Sequence, residues 1–164
     1  DIRFKKELDG GAYFDLGVYG LRMINELFGV TSINPIGKLL FYEDFKVDMG
    51  GNLKFYVDET VPVEFDFGFD NEYQCSLEIW GSKGILSNKR IFTAPPDLKI
   101  NTQLKLNNQA NENFIIDDQI KNLFDHFASL IINRDKELIE KEYSFILNQA
   151  YLVESTLNKL VNND

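Results

Sequence analysis

The chain has 164 residues, with 44% apolar and 13% aromatic side chains, which is enough to build a sizeable core and argues against a disordered chain. A formal net charge of -9 and a pI near 4.6 speak against an electrostatic grip on nucleic acid or on an anionic membrane surface, both of which need clustered Lys and Arg. With a single cysteine, Cys75, no internal disulfide and no cysteine-based zinc site can form; no apolar run reaches bilayer length, and a reducing cytoplasmic setting is expected.

The first element is a helix. From about Ala12 to Phe28, Leu16, Met23, Ile24, Leu27 and Phe28 recur at helical spacing, and Gly29 follows as a C-terminal cap. After Pro35 the pattern changes to short segments rich in aromatic and β-branched residues: Lys38 to Tyr42, Asn52 to Val57, Val61 to Phe69 and Tyr73 to Trp80. Turn-prone stretches at 49–51, 58–59 and 69–71 separate them. In V-P-V-E-F-D-F-G-F, Val61, Val63, Phe65, Phe67 and Phe69 share one face and Glu64, Asp66 and Gly68 the other, so one face is buried. The next segment alternates in the same way, Cys75, Leu77 and Ile79 against Gln74, Ser76, Glu78 and Trp80, and G-S-K-G at 81–84 turns it into a hairpin ending at Ile85-Leu86. Pro95-Pro96 breaks the following stretch, after which Leu98, Ile100, Leu104 and Leu106 mark one or two more strands.

From Asp117 the period returns to that of a helix: Ile120, Leu123, Phe124, Phe127 and Ile131 form a stripe with Asp117 or Asp118 as N-cap. A last helix runs from roughly Leu138 to Val161, with Ile139, Tyr143, Ile146, Ala150, Val153, Leu157 and Leu160 on its inner side. Strands segregated from helices predict one α+β domain over 1–164, an open and predominantly antiparallel sheet covered by helices on one face. The other face carries Lys54, Tyr56, Glu64, Asp66, Gln74, Ser76, Glu78 and Trp80. It reads either as a solvated face or, with its aromatic anchors, as a homodimer interface.

The first helix opens at D-G-G-A-Y-F-D-L-G-V-Y. Gly10 and Gly11 allow an unusual backbone path or a close approach of another group. Asp15 and Tyr19 are four residues apart, about one turn. Each has a plain reading, Asp15 as a first-turn acid and Tyr19 as a half-buried core residue. Together they permit chemistry, a tyrosine hydroxyl acting as general acid or base on a substrate alcohol or carbonyl and a carboxylate orienting the substrate. His126, the only histidine, reads as structural, and one histidine without a carboxylate cluster gives no metal site.

The segment D-I-R-F-K-K-E-L-D-G-G-A-Y-F-D-L-G-V-Y-G at 1–20 resembles the one that opens the C-terminal domain of the Gfo/Idh/MocA family (glucose-fructose oxidoreductase, inositol dehydrogenase and rhizopine catabolism). The family pattern is a Gly-Gly-Gly-Ala run, two variable residues, Asp, an apolar residue, Gly, an apolar residue, then His or Tyr. Gly10, Gly11, Ala12, Asp15, Gly17 and Tyr19 match it, and Asp9 replaces the first glycine. Weaker similarity follows at Val47-Asp48, at I-W-G-S-K-G-I-L, at Phe92 with Pro95, and around Phe124 and Ala150. The resemblance implies a C-terminal domain of the glyceraldehyde-3-phosphate dehydrogenase type, working with an N-terminal Rossmann domain. It implies an NAD(P)-dependent oxidoreductase acting on a CH-OH group of a sugar, polyol or related diol, and a homodimer or higher homo-oligomer through the open sheet. Tyr19 would donate or accept the proton, Asp15 would orient the substrate, Arg3 would reach the substrate, and Gly10 and Gly11 would lie near the cofactor, NAD or NADP. No G-x-G-x-x-G follows a strand and no Glu-Lys-Pro is present, so the dinucleotide fold and the family's catalytic lysine are absent from these residues. With Asp1 in place of a starting Met, the sequence reads as a piece of a longer protein and is expected to be inactive by itself. The rival reading is a non-catalytic dimerisation or binding module using the open sheet face.

Overall fold

A computed structural model describes residues 1–107 and 109–161. These residues form two compact units, Asp1–Asn71 with Glu140–Asp164, and Glu72–Ile139. In the first unit two short 3-10 turns, Ile2–Phe4 and Lys6–Leu8, lead into a π-helical turn over Tyr13–Gly17 and then α1, Val18–Phe28. Gly29 ends α1 in the left-handed conformation (φ 65°) with its N–H bonded to the Asn25 carbonyl, the cap that its position after the apolar run predicts. Strands β1 (Ile36–Phe41), β2 (Asp48–Val57) and β3 (Val61–Gly68) make an antiparallel sheet in the order β1-β2-β3, with a register shift at Leu40/Phe41.

Alternation along β2 and β3 sends Leu53, Phe55, Val57 and Phe67 into the core, where they meet Ala12 and Tyr13 from the π-turn and Leu21 and Ile24 from α1. The last part of α3 (Lys136–Val161) adds Leu152 and Leu160 to the same cluster. Aromatic rings meet edge to face, Phe55 with Phe65 at 6.5 Å within the sheet and Tyr13 of the π-turn with Phe67 of β3 at 6.1 Å between centroids. Lys159 fastens the end of α3 to the 32–34 loop through the Ile33 carbonyl (2.6 Å) and Asn34 Oδ1 (3.0 Å). The opposite side of β2 and β3 is wet: Lys54 pairs with Glu64 across the strands (2.6 Å), and Tyr56 and Asp66 are exposed.

In the second unit β4 (Leu77–Gly81), β5 (Gly84–Asn88), β6 (Ile100–Leu106) and β7 (Gln109–Ile115) pair antiparallel in sequence order. The hairpin expected at G-S-K-G is present, with Gly81 opposite Gly84. Next comes α2, Gln119–Asn133, whose first turn is capped by the Asp118 carboxylate on the Lys121 N–H (2.9 Å).

The class is thus α+β with antiparallel sheets and helices, but the strands divide into two sheets instead of one. Residues Glu72 to Ser76 account for the break, since they make only an isolated bridge from Cys75 to Arg90 and β4 starts at Leu77. Three expectations about helix faces also change. On α1 the buried residues are Leu21, Ile24 and Asn25, while Leu27 and Phe28, at the helix's last turn before Gly29, are exposed. On α3 the buried positions are Leu152, Thr156 and Leu160, spaced by four, whereas Tyr143 and Ile146 are exposed. The stripe Ile120, Leu123, Phe124, Phe127 and Ile131 of α2 is likewise exposed.

Candidate active site

The glycine pair is where the backbone path is most constrained. Gly11 has φ 130°, a region that side-chain-bearing residues avoid, and a Cβ there would lie 2.1 Å from Asp48 Oδ1. A Cβ on Gly10 would lie 2.5 Å from the Arg3 carbonyl oxygen. The N–H groups of Gly10 and Gly11 donate to the Lys5 and Arg3 carbonyls at 3.0 and 2.8 Å. The close approach that the glycines permit is therefore made by the chain itself.

What they admit is Asp48, at the start of β2. Its Oδ2 accepts the Tyr13 N–H at 2.6 Å, a buried carboxylate holding one of the unpaired donors at the helix entrance. Burial is the main cause that holds the Asp48 carboxyl above its ordinary range, opposed by the backbone N–H bonds it accepts. Tyr13 is fully buried, and its hydroxyl donates to the Val153 carbonyl of α3 at 2.7 Å. Burial pushes the Tyr13 phenol far up, so its proton stays in place at any working pH. The π-turn is thereby pinned to β2 by Asp48 and to α3 by Tyr13.

The widened turn carries Asp15, and the next turn carries Tyr19. π-turns within helices recur at functional sites. Asp15 faces the 3-10 turns, with Arg3 Nη1 3.9 Å from Asp15 Oδ2. Arg3 is also held by Asp1 (2.6 Å) and lies over the Phe69 ring at 6.0 Å. Tyr19, 40% exposed, opens onto a surface hollow of about 350 Å³ between α1 and α3, lined also by Arg22, Gln149, Ala150 and Val153. The structure thus joins Arg3 to Asp15 and Tyr19 to Arg22 and Gln149, with Asp15 outside the hollow's lining.

Arg22 and Gln149 were not singled out from the sequence. Arg22 stacks on Phe145 at 3.7 Å and pairs with Glu26 at 2.8 Å, so its guanidinium is fixed at the rim. Gln149 Nε2 donates to the Val18 carbonyl (3.3 Å), and its Oε1 is buried without a hydrogen-bond partner among the described residues. No local signal could have placed Gln149 there, since it and Val18 are 131 positions apart. His126 sits on α2, in the other unit. Among the described residues no group of three His, Cys, Asp or Glu is placed to hold a metal ion, and no helix is long and apolar enough to cross a membrane.

No family model matches the chain. A dTDP-3,4-didehydro-2,6-dideoxy-alpha-D-glucose 3-reductase from Actinomadura kijaniata is 30% identical over 158 residues, covering 94% of this chain and 46% of the relative. The enzyme of the same name from Streptomyces violaceoruber is 34% identical over 97 residues, 58% of this chain and 28% of the relative. Among solved structures, KijD10, a 3-ketoreductase from Actinomadura kijaniata in complex with NADP and TDP-benzene, superposes with a TM-score of 0.81 at 28% identity over 94% of this chain and 47% of that one. The homologues are dTDP-sugar 3-ketoreductases. The chain spans about half the length of these relatives, and its α+β arrangement is the fold of that half.

Proposed function

We propose that this chain is the C-terminal, substrate-binding part of an NADP-dependent oxidoreductase of the Gfo/Idh/MocA family that reduces the keto group of a dTDP-linked deoxysugar. The observation that carries this reading is the similarity to dTDP-sugar 3-reductases along 94% of the chain, a span that includes the Asp15 and Tyr19 segment. In this reading Tyr19 holds a proton at its phenol oxygen and delivers it to the carbonyl oxygen as the carbonyl carbon becomes a carbinol. Asp15, steadied by Arg3, orients the sugar, and Gln149 Oε1 accepts a hydroxyl of the substrate. NADPH, when bound, would supply the hydride.

Gly10 and Gly11 do not fit a dinucleotide cradle. The N–H groups of Gly10 and Gly11 are spent on Lys5 and Arg3, and the space beside Gly11 is filled by Asp48. We therefore assign the holding of NADP to residues outside this sequence, and Gly10 and Gly11 to seating the π-turn. A homodimer through the exposed side of β2 and β3, where Tyr56 stands beside the Lys54–Glu64 pair, is part of the same proposal. Whole protein of the relatives' length, given NADPH, should oxidise it when offered dTDP-linked 3-keto sugars and stay nearly idle with the free sugars. Equal rates with free sugars, or no NADPH consumption with any dTDP-linked ketone, would remove the reading.

A further inference from the structure

The second unit contains a hollow of about 300 Å³ in which basic groups collect, in a chain whose net charge is -9. Lys89 and Arg90 leave the end of β5, Lys99 immediately precedes β6, and Ser87 and Asn101 line the strands between them. Among the described residues none of these three cations takes part in an ion pair, and Asp97, the acid in the same loop, is not part of the lining. Like charges gathered without a counterion repel one another, and a bound anion would relieve that repulsion.

Arg90 is held in place before any ligand arrives. Its N–H donates to Asn88 Oδ1 (2.7 Å), its Nη2 to the Thr93 carbonyl (3.1 Å), and its guanidinium lies over the Tyr73 ring at 4.4 Å. Its Nε is buried without a partner, and so is Asn101 Oδ1 on the same wall. An Asn amide turned over presents N–H donors instead of an acceptor. A fixed guanidinium with an unused donor, two ammonium groups and an adaptable amide match a polyanion with several terminal oxygens. The Lys99 ammonium also lies over the Phe114 ring of β7, 4.3 Å from its centroid.

We propose that this hollow binds the diphosphate group of a small molecule, with Arg90 as the fixed anchor and Lys89 and Lys99 closing over it. Diphosphate is favoured over a single phosphate because three cations, gathered where β5 ends and β6 begins, offer more charge than one phosphate neutralises. The assignment does not rest on the oxidoreductase reading, and it would stand if Tyr19 proved idle.

Calorimetric titration of the 164-residue chain with pyrophosphate, dTDP and inorganic phosphate tests it. Pyrophosphate and dTDP should bind about tenfold or more tighter than inorganic phosphate, and raised salt should weaken both. The double variant Lys89→Gln/Lys99→Gln, both exposed positions, should lose about tenfold or more of that affinity with its circular dichroism unchanged. Arg90→Lys should lose a similar amount, because an ammonium cannot reproduce the fork of donors. Absence of pyrophosphate binding, equal affinity for phosphate and pyrophosphate, or full affinity in the double lysine variant would overturn the proposal. Binding of dTDP without pyrophosphate would overturn it too, by assigning the contact to the nucleoside.

Discussion

Replacing Gly11 by Ala should be one of the most costly single-methyl changes in the chain. The new Cβ falls 2.1 Å from Asp48 Oδ1, so the carboxylate must move or the π-turn must shift. A non-glycine residue held at φ 130° costs about 1–3 kcal/mol. Displacing the buried carboxylate from the Tyr13 N–H, 2.6 Å away, forfeits a charge-assisted hydrogen bond of about 1.5–3 kcal/mol. Together these amount to roughly 2.5–6 kcal/mol, a large share of the ~5–15 kcal/mol typical of a folded domain. Urea denaturation followed by circular dichroism measures it directly. A loss under about 1 kcal/mol would show that the Gly11–Asp48 approach is not what seats the turn.

Tyr13→Phe removes only the hydroxyl bonded to the Val153 carbonyl and should cost about 0.5–1.5 kcal/mol in the same assay; no loss would remove the pin between the π-turn and α3. Asp48→Asn keeps an acceptor for the Tyr13 N–H but removes a buried charge. Because the folded carboxyl holds its proton more tightly than the unfolded one, the native chain should gain stability relative to Asp48→Asn as pH falls from neutral through the raised folded value towards 3.8. The gain should reach about 1.4 kcal/mol for every tenfold by which folding tightens the hold on that proton, and a difference that stays flat with pH would contradict the buried-carboxylate account. Gln149→Leu in the whole protein should raise KM for the sugar nucleotide with kcat nearly unchanged, as expected for binding equal in ground and transition states. A fall in kcat alone would place Gln149 in the chemistry instead.

Much of the fold was legible because it rests on local periodicity. The alternation of Val63, Phe65 and Phe67, the Gly29 cap, the hairpin at 81–84 and the Asp118 cap are each set by residues within a few positions of one another. What sequence spacing missed depends on packing. The π-turn changes the relation between Asp15 and Tyr19 that a uniform helix would give, and no residue pattern announces it. Val47-Asp48 was visible as a feature before a strand, but its partner, the Tyr13 N–H, lies 35 residues away. Tyr13 and Tyr19 look equivalent in A-Y-F-D-L-G-V-Y. Only burial separates them, Tyr13 being sealed in the core and Tyr19 open to the hollow beside Gln149.

That separation gives the most direct test of the proposed chemistry. In the whole protein, with NADPH and a dTDP-linked 3-keto sugar, turnover by Tyr19→Phe should fall about 10²–10⁴-fold with the thermal midpoint unchanged, while Tyr13→Phe should lower the midpoint and keep most of the turnover. Full turnover in Tyr19→Phe would contradict the assignment of the proton to Tyr19.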